Sequence, residues 1–169
     1  TYGFIFSRLF SGWSYILELI RSIQFSKEHF AWSLLAFVLL IDFWWGSWER
    51  ESYITRHEGI FFLSLLLPVI QYGLALVLFP FRQYSEHIQL KEYFHRNQKI
   101  ILAMFGGMLF VNGVLAVSME GTWSGQENIF RMLGIGFTII ALIMKDAWAQ
   151  RVVLVLGWVL YLLHAVLDN

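Results

Sequence analysis

The sequence predicts an all-α, polytopic membrane helical bundle, with five transmembrane helices preceded by an amphipathic interfacial helix. Three observations carry that reading. The chain is 58% hydrophobic and only 14% charged, whereas a soluble domain has about a quarter of its residues charged. Apolar runs of roughly bilayer-crossing length recur along it. Short polar connectors separate them, so each helix must return beside its predecessor. A water-soluble chain this apolar would expose patches that monomeric proteins avoid.

Residues 1–27 read as the amphipathic N-terminal segment and residues 28–169 as the five-span domain. In the first segment Arg8 and Glu18 interrupt the apolar run, which disfavours a span. Tyr2, Ile5, Phe6, Leu9, Trp13, Ile16, Leu17 and Ile20 fall on one side at helical spacing, with Ser11, Ser14, Glu18 and Arg21 opposite. The expectation is a helix in the headgroup plane with its aromatic side down. The other setting for the same pattern is a helix packed against the bundle or a partner subunit.

The first span covers about residues 29–48, introduced by Ser26 and Glu28 as an N-terminal signature. It holds one carboxylate, Asp42, and ends in Trp44, Trp45 and Trp48. The second span, about 59–80, contains Pro68, which lacks an N–H and should bend the helix or free a carbonyl. Its Gly73 permits close approach of a neighbour. Residues 82–99 are polar and charged and suit a surface helix. The third span, about 100–119, carries Gly106, Gly107 and Gly113, small residues of the kind that let membrane helices pack backbone to backbone. The fourth, about 129–144, is short and holds Arg131, whose head is expected to snorkel to the interface. The fifth covers about 151–167.

Of the 12 Lys and Arg residues, Arg8, Arg21, Lys27, Arg82, Lys91, Arg96, Lys99, Lys145 and Arg151 fall on the N-terminal side of this topology. Arg50, Arg56 and Arg131 fall on the other. The positive-inside rule then places the N-terminus in the cytoplasm and the C-terminus outside, in a plasma membrane or bacterial inner membrane.

Ionisable groups within a membrane helix are costly and need partners. By rise per residue, Asp42 and Asn112 lie about 18 Å from the cytoplasmic ends of their helices, His164 about 20 Å and Gln71 about 15 Å. The four form a candidate polar layer. In one reading it fixes the packing of the bundle; in the other Asp42 and His164 pass protons or ions.

Composition and motifs exclude more than they identify. The net charge is zero, so no nucleic-acid partner is expected. Without cysteine there is no thiolate nucleophile, disulfide or thiolate metal site. Neither HExxH nor a glycine-rich phosphate loop occurs. His87 and His95 lie about 12 Å apart along a helix, too far to share a metal, and no cofactor is expected. These observations favour a non-catalytic accessory or interaction subunit of a larger membrane assembly. The alternative is a small oligomeric proton or ion channel or transporter using Asp42 and His164. Membrane lipids, and further copies of the chain or other membrane subunits, are the expected partners.

Overall fold

A computed structural model describes residues 2–18, 26–79, 90–120, 126–144 and 147–167. The elements are α1 (Tyr2–Glu18), α2 (Lys27–Glu49), a short α3 (Glu51–Ile54), α4 (Glu58–Leu78), α5 (Leu90–Glu120), α6 (Gln126–Ile143) and α7 (Ala147–Leu167). No strand occurs among the described residues. Three stretches are long and apolar enough to cross a membrane: Lys27–Glu49, Glu58–Leu78 and Leu90–Met119. Asn128–Ile143 and Arg151–Leu163 are shorter apolar helices, where the fourth and fifth spans were expected.

Local chemistry explains the boundaries. The Ser26 hydroxyl accepts from the His29 N–H at 3.3 Å and caps α2, with Glu28 in the first turn. Phe79, which precedes a proline, is extended at φ −120° and ψ 131°. Pro Cδ disfavours α geometry in that position, so α4 stops there. Pro68 is buried inside α4, which runs unbroken past it. Removing one N–H from a helix flanked by packed neighbours bends or loosens it without ending it.

The expected surface helix over 82–99 falls partly outside the described residues, and its remainder is part of α5. Nothing in LKEYFHRNQK stops a helix, since it contains neither Gly nor Pro. Leu90, Phe94, Gln98, Ile101 and Phe105 are all buried at helical spacing. One inward stripe thus continues from the polar stretch into the apolar one, and the charged residues decorate the other face.

Pairings between helices fix their directions. Gly73 meets Met104 and Gly107 meets Ile70, so α4 and α5 are antiparallel. Gly106–Thr138, Leu109–Gly134 and Gly113–Arg131 give α5 and α6 the same relation. Gly106 is the tightest point of the α5–α6 contact: an added Cβ would lie 2.8 Å from the Thr138 hydroxyl oxygen. Only a residue without a side chain leaves room there for the Thr138 side chain. Glu28–Arg151 and Leu35–Gly157 run α7 parallel to α2. α2 is the hub, touching α1, α4, α5 and α7.

The contacts place α1 in the second of its two settings, against the bundle. The Tyr2 hydroxyl lies 3.1 Å from that of Ser47, and Trp13 Nε1 donates to Ser33 Oγ at 3.0 Å. Rings of Phe6, Phe10 and Trp13 meet Phe37 between them. α1 therefore runs antiparallel along α2, with Tyr2 at the end opposite Lys27. Ile5 and Leu9 are buried, and Gly12 leaves the space that the Phe79 ring fills. A sequence with one apolar face cannot distinguish lipid from protein as the partner of that face.

Candidate functional site

Asp42 lies on the face of α2 that also presents Leu39 and Phe43, at the spacings that share one helix side. All three line a cavity of about 70 Å3 among α2, α5, α6 and α7. Arg131 of α6 and Tyr161 of α7 line it too, and Gly134 and Gly157 open its wall to backbone. Carboxylate, guanidinium and phenol thus come from three helices to one small space. Arg131 Nη1 donates to Asn128 Oδ1 at 2.8 Å, which holds the guanidinium within α6's first turns. Its stem passes Gly113 of α5, where a Cβ would sit 4.0 Å from Arg131 Cδ.

The chemistry available follows from the groups. A guanidinium stays charged and can neutralise a nearby carboxylate in a setting where an isolated charge is costly. A phenol can donate to the carboxylate or relay a proton. A cavity of this size suits water and small ions, not an organic substrate.

Of the four residues expected to form one polar layer, Asp42, Gln71 and Asn112 have described side chains, and these have different surroundings. Asn112 is buried and accepts from Arg50 Nη1 at 3.5 Å, so it serves the end of α2 and not Asp42. Gln71 is 3% exposed, with neither amide atom hydrogen-bonded among the described residues. The side chain of His164 lies outside the described residues. Of the three whose side chains are described, Asp42 lines the cavity. Depth along each helix was legible, but the direction each side chain faces was not. Of the helix-packing residues, Gly73 and Gly107 lie at the α4–α5 contact, Gly106 and Gly113 at α5–α6, and Pro68 is buried in α4.

Arg131 and Tyr161 were missed as neighbours of Asp42. The signal for Arg131 was its position inside an apolar run, which is as compatible with a buried partner as with snorkelling. A second polar cluster, at the end of α4, was also missed. Tyr93 Oη donates to Val77 O at 3.0 Å, His29 Nε2 to Leu78 O at 2.5 Å, and Arg8 Nη2 to Phe79 O at 3.4 Å. The last carbonyls of a helix lack intrahelical donors, and here three other helices supply them. His29 is buried between the Phe79 and Phe94 rings. This cluster is architectural: each of the three side chains donates to backbone.

Among the described residues no group of three or more His, Cys, Asp or Glu side chains is placed to hold a metal ion. No protein-family model matches the sequence, and no curated protein or solved structure is similar to it.

Proposed function

We propose that the protein is a non-catalytic integral membrane protein acting as an accessory or interaction subunit of a larger membrane assembly. One observation carries this reading: the outer face of α1. Ser7, Ser11 and Ser14 are exposed along one line of a helix that lies beside α2 between the levels of Ser33 and Ser47. That stretch of α2 belongs to a segment apolar enough to cross a membrane. Serine hydroxyls at such depth favour a partner helix over lipid, because they hydrogen-bond across close-packed interfaces. On this proposal five helices, α2 and α4 to α7, cross the bilayer. The Lys27 end of α2 faces the cytoplasm by its basic charge, and α1 carries Tyr2 toward the opposite face.

The test is extraction from native membranes into lipid particles without detergent. The wild type is expected in assemblies containing more than one chain. Replacing Ser7, Ser11 and Ser14 together by Leu should release it as a single chain with unchanged helix content. A wild type that emerges alone would overturn the reading.

The cavity beside Asp42 favours a second reading, an oligomeric proton or ion channel or transporter. Intramembrane carboxylates mark ion pathways, and this one shares its space with Arg131 and Tyr161. On that reading Asp42→Asn abolishes a pH-driven flux in reconstituted vesicles while leaving the protein folded. Absence of any wild-type flux removes it.

A further inference from the structure

Helix α5 is longer than the apolar stretch within it. Its 31 residues span about 46 Å, against about 30 Å for the hydrocarbon of a bilayer. Residues 100–119 hold no charged side chain, whereas Lys91, Glu92, Arg96 and Lys99 all fall within 90–99. The surplus length is therefore at the Leu90 end, where about three turns stand clear of the hydrocarbon. We infer that the exposed cations of these turns, Lys91, Arg96 and Lys99, form a docking surface for the anionic headgroups of the adjoining leaflet.

Orientation, depth and charge select that partner. Leu90, Phe94, Gln98 and Ile101 are buried, which turns the charged residues outward. Lys91, His95 and Lys99 are exposed in one row at a spacing of four, and Glu92, Arg96 and Ile100 are exposed in the next. Along the second row the surface passes from charged to apolar, with Ile100 49% exposed. With residues 100–119 in hydrocarbon, as the bilayer crossing of α5 requires, this change coincides with the edge of the acyl chains. By rise per residue, Lys99 lies about 2 Å and Arg96 about 6 Å outside Ile100, within a headgroup layer about 5 to 8 Å deep. Lys91 lies about 14 Å out, roughly a Debye length beyond that layer.

The rings of His29 and Phe94 lie 6.2 Å apart, so the start of α2 adjoins these turns and adds the exposed Lys27 to the same end. Cations outnumber acids there, with Lys27, Lys91, Arg96, Lys99 and Arg151 against Glu18, Glu28 and Glu92. Arg151 is committed to Glu28 at 2.6 Å, whereas Lys27, Lys91, Arg96 and Lys99 make no ion pair with a described residue. The opposite end reverses the balance, since Glu49, Glu51 and Glu58 outnumber Arg50 and Arg56. Clustered Lys and Arg beside a membrane helix attract anionic lipids of the leaflet they face. A lipid also suits the apolar neighbours of these cations, Ile100 and the 44% exposed Phe30, which a soluble acidic partner would leave uncovered.

The inference rests on the proposed bilayer crossing of α5, and the experiment separates the two. The full chain is reconstituted in phosphatidylcholine vesicles that carry a trace of spin-labelled phosphatidylglycerol or spin-labelled phosphatidylcholine. Electron paramagnetic resonance reads the fraction of each label held at the protein. At low salt the wild type should favour phosphatidylglycerol by about fivefold, and molar sodium chloride should remove most of that preference. Replacing Lys91, Arg96 and Lys99 together by Gln should bring it below about twofold with helix content unchanged. Glu92→Gln should raise it, and Arg56→Gln at the opposite end should leave it as it is. Inorganic phosphate at matched ionic strength should lower it no further than chloride does; a larger drop assigns the cations to free phosphate and overturns the inference. Equal association of both labels with the wild type overturns it too, and retention on immobilised polyglutamate would then assign the surface to an acidic protein. So does a triple variant that keeps the wild-type preference. A chain that does not enter the vesicles overturns the bilayer crossing as well.

Discussion

The two ends of the bundle use polar side chains in opposite ways. Where α4 terminates, Tyr93, His29 and Arg8 direct their donors at three successive backbone carbonyls, amid buried Phe79, Leu90 and Phe94. Toward the other end, Asp42, Arg131 and Tyr161 line one cavity, and Arg131 donates to the Asn128 side chain. Side chains spent on backbone close a helix end. Side chains that meet one another beside open space can exchange a partner. The first end closes off backbone, and the second keeps open space beside its charged groups.

The sharpest way to break this contrast is at His29. His29→Ala leaves the Leu78 carbonyl without its donor and opens a space between two phenylalanine rings, so it should cost about 3 kcal/mol, read as unfolding by denaturant in detergent. A loss near zero would mean that the α4 end is not where stability concentrates. Gly12→Ala comes next. An added methyl meets the Phe79 ring directly, and such overpacking should cost about 2 kcal/mol. The double variant with Phe79→Leu should recover much of it, which a double-mutant cycle measures.

At the open end the same treatment should cost less. Asp42→Asn should be close to neutral because an amide still hydrogen-bonds, and Asp42→Leu should cost about 1 kcal/mol. A loss at Asp42 equal to that at His29 would erase the distinction between the ends. The smallest effect is expected at the Glu28–Arg151 pair. Its distance is only 2.6 Å, yet the Arg151 side chain is 60% exposed. Glu28→Gln should therefore cost less than about 1 kcal/mol and respond to salt. That result would show that the closed end is held by buried donors and not by its visible ion pair.

Much of the scaffold was legible because membrane solvent leaves a blunt signature. The apolar runs of α2 and α4 coincide with their helices within a residue or two of each end. Ser26 was readable as a cap, and Gly73 and Gly106 as close contacts. What failed did so for one physical reason. Hydropathy reports the depth of a residue and the face it occupies on its own helix, not which helix lies opposite. Asn112 and Gln71 therefore seemed to share a layer with Asp42, while Arg50 and not Asp42 reaches Asn112. Arg131 seemed superficial because its helix was expected to start at 129. α6 begins at Gln126, which carries Arg131 deeper than the run of apolar residues implied. His29 carried no signal of its role, since a lone imidazole in a sequence says nothing of the carbonyl it will meet.

The central position of α2 also has a consequence in time. It is made before α4 to α7, yet Glu28 contacts Arg151, 123 residues later in the chain. At roughly 5 to 20 residues per second, synthesis of that interval takes about 6 to 25 s. Throughout it the neighbours of Asp42 from α6 and α7 do not yet exist, whereas His29 meets Leu78 much earlier. Assembly is thus ordered by the chain itself: the closed end can form while the ribosome is still producing the helices that complete the other. A nascent chain halted before α6 already contains the donors and carbonyls of the first cluster, but not the Arg131 and Tyr161 that line the cavity of Asp42.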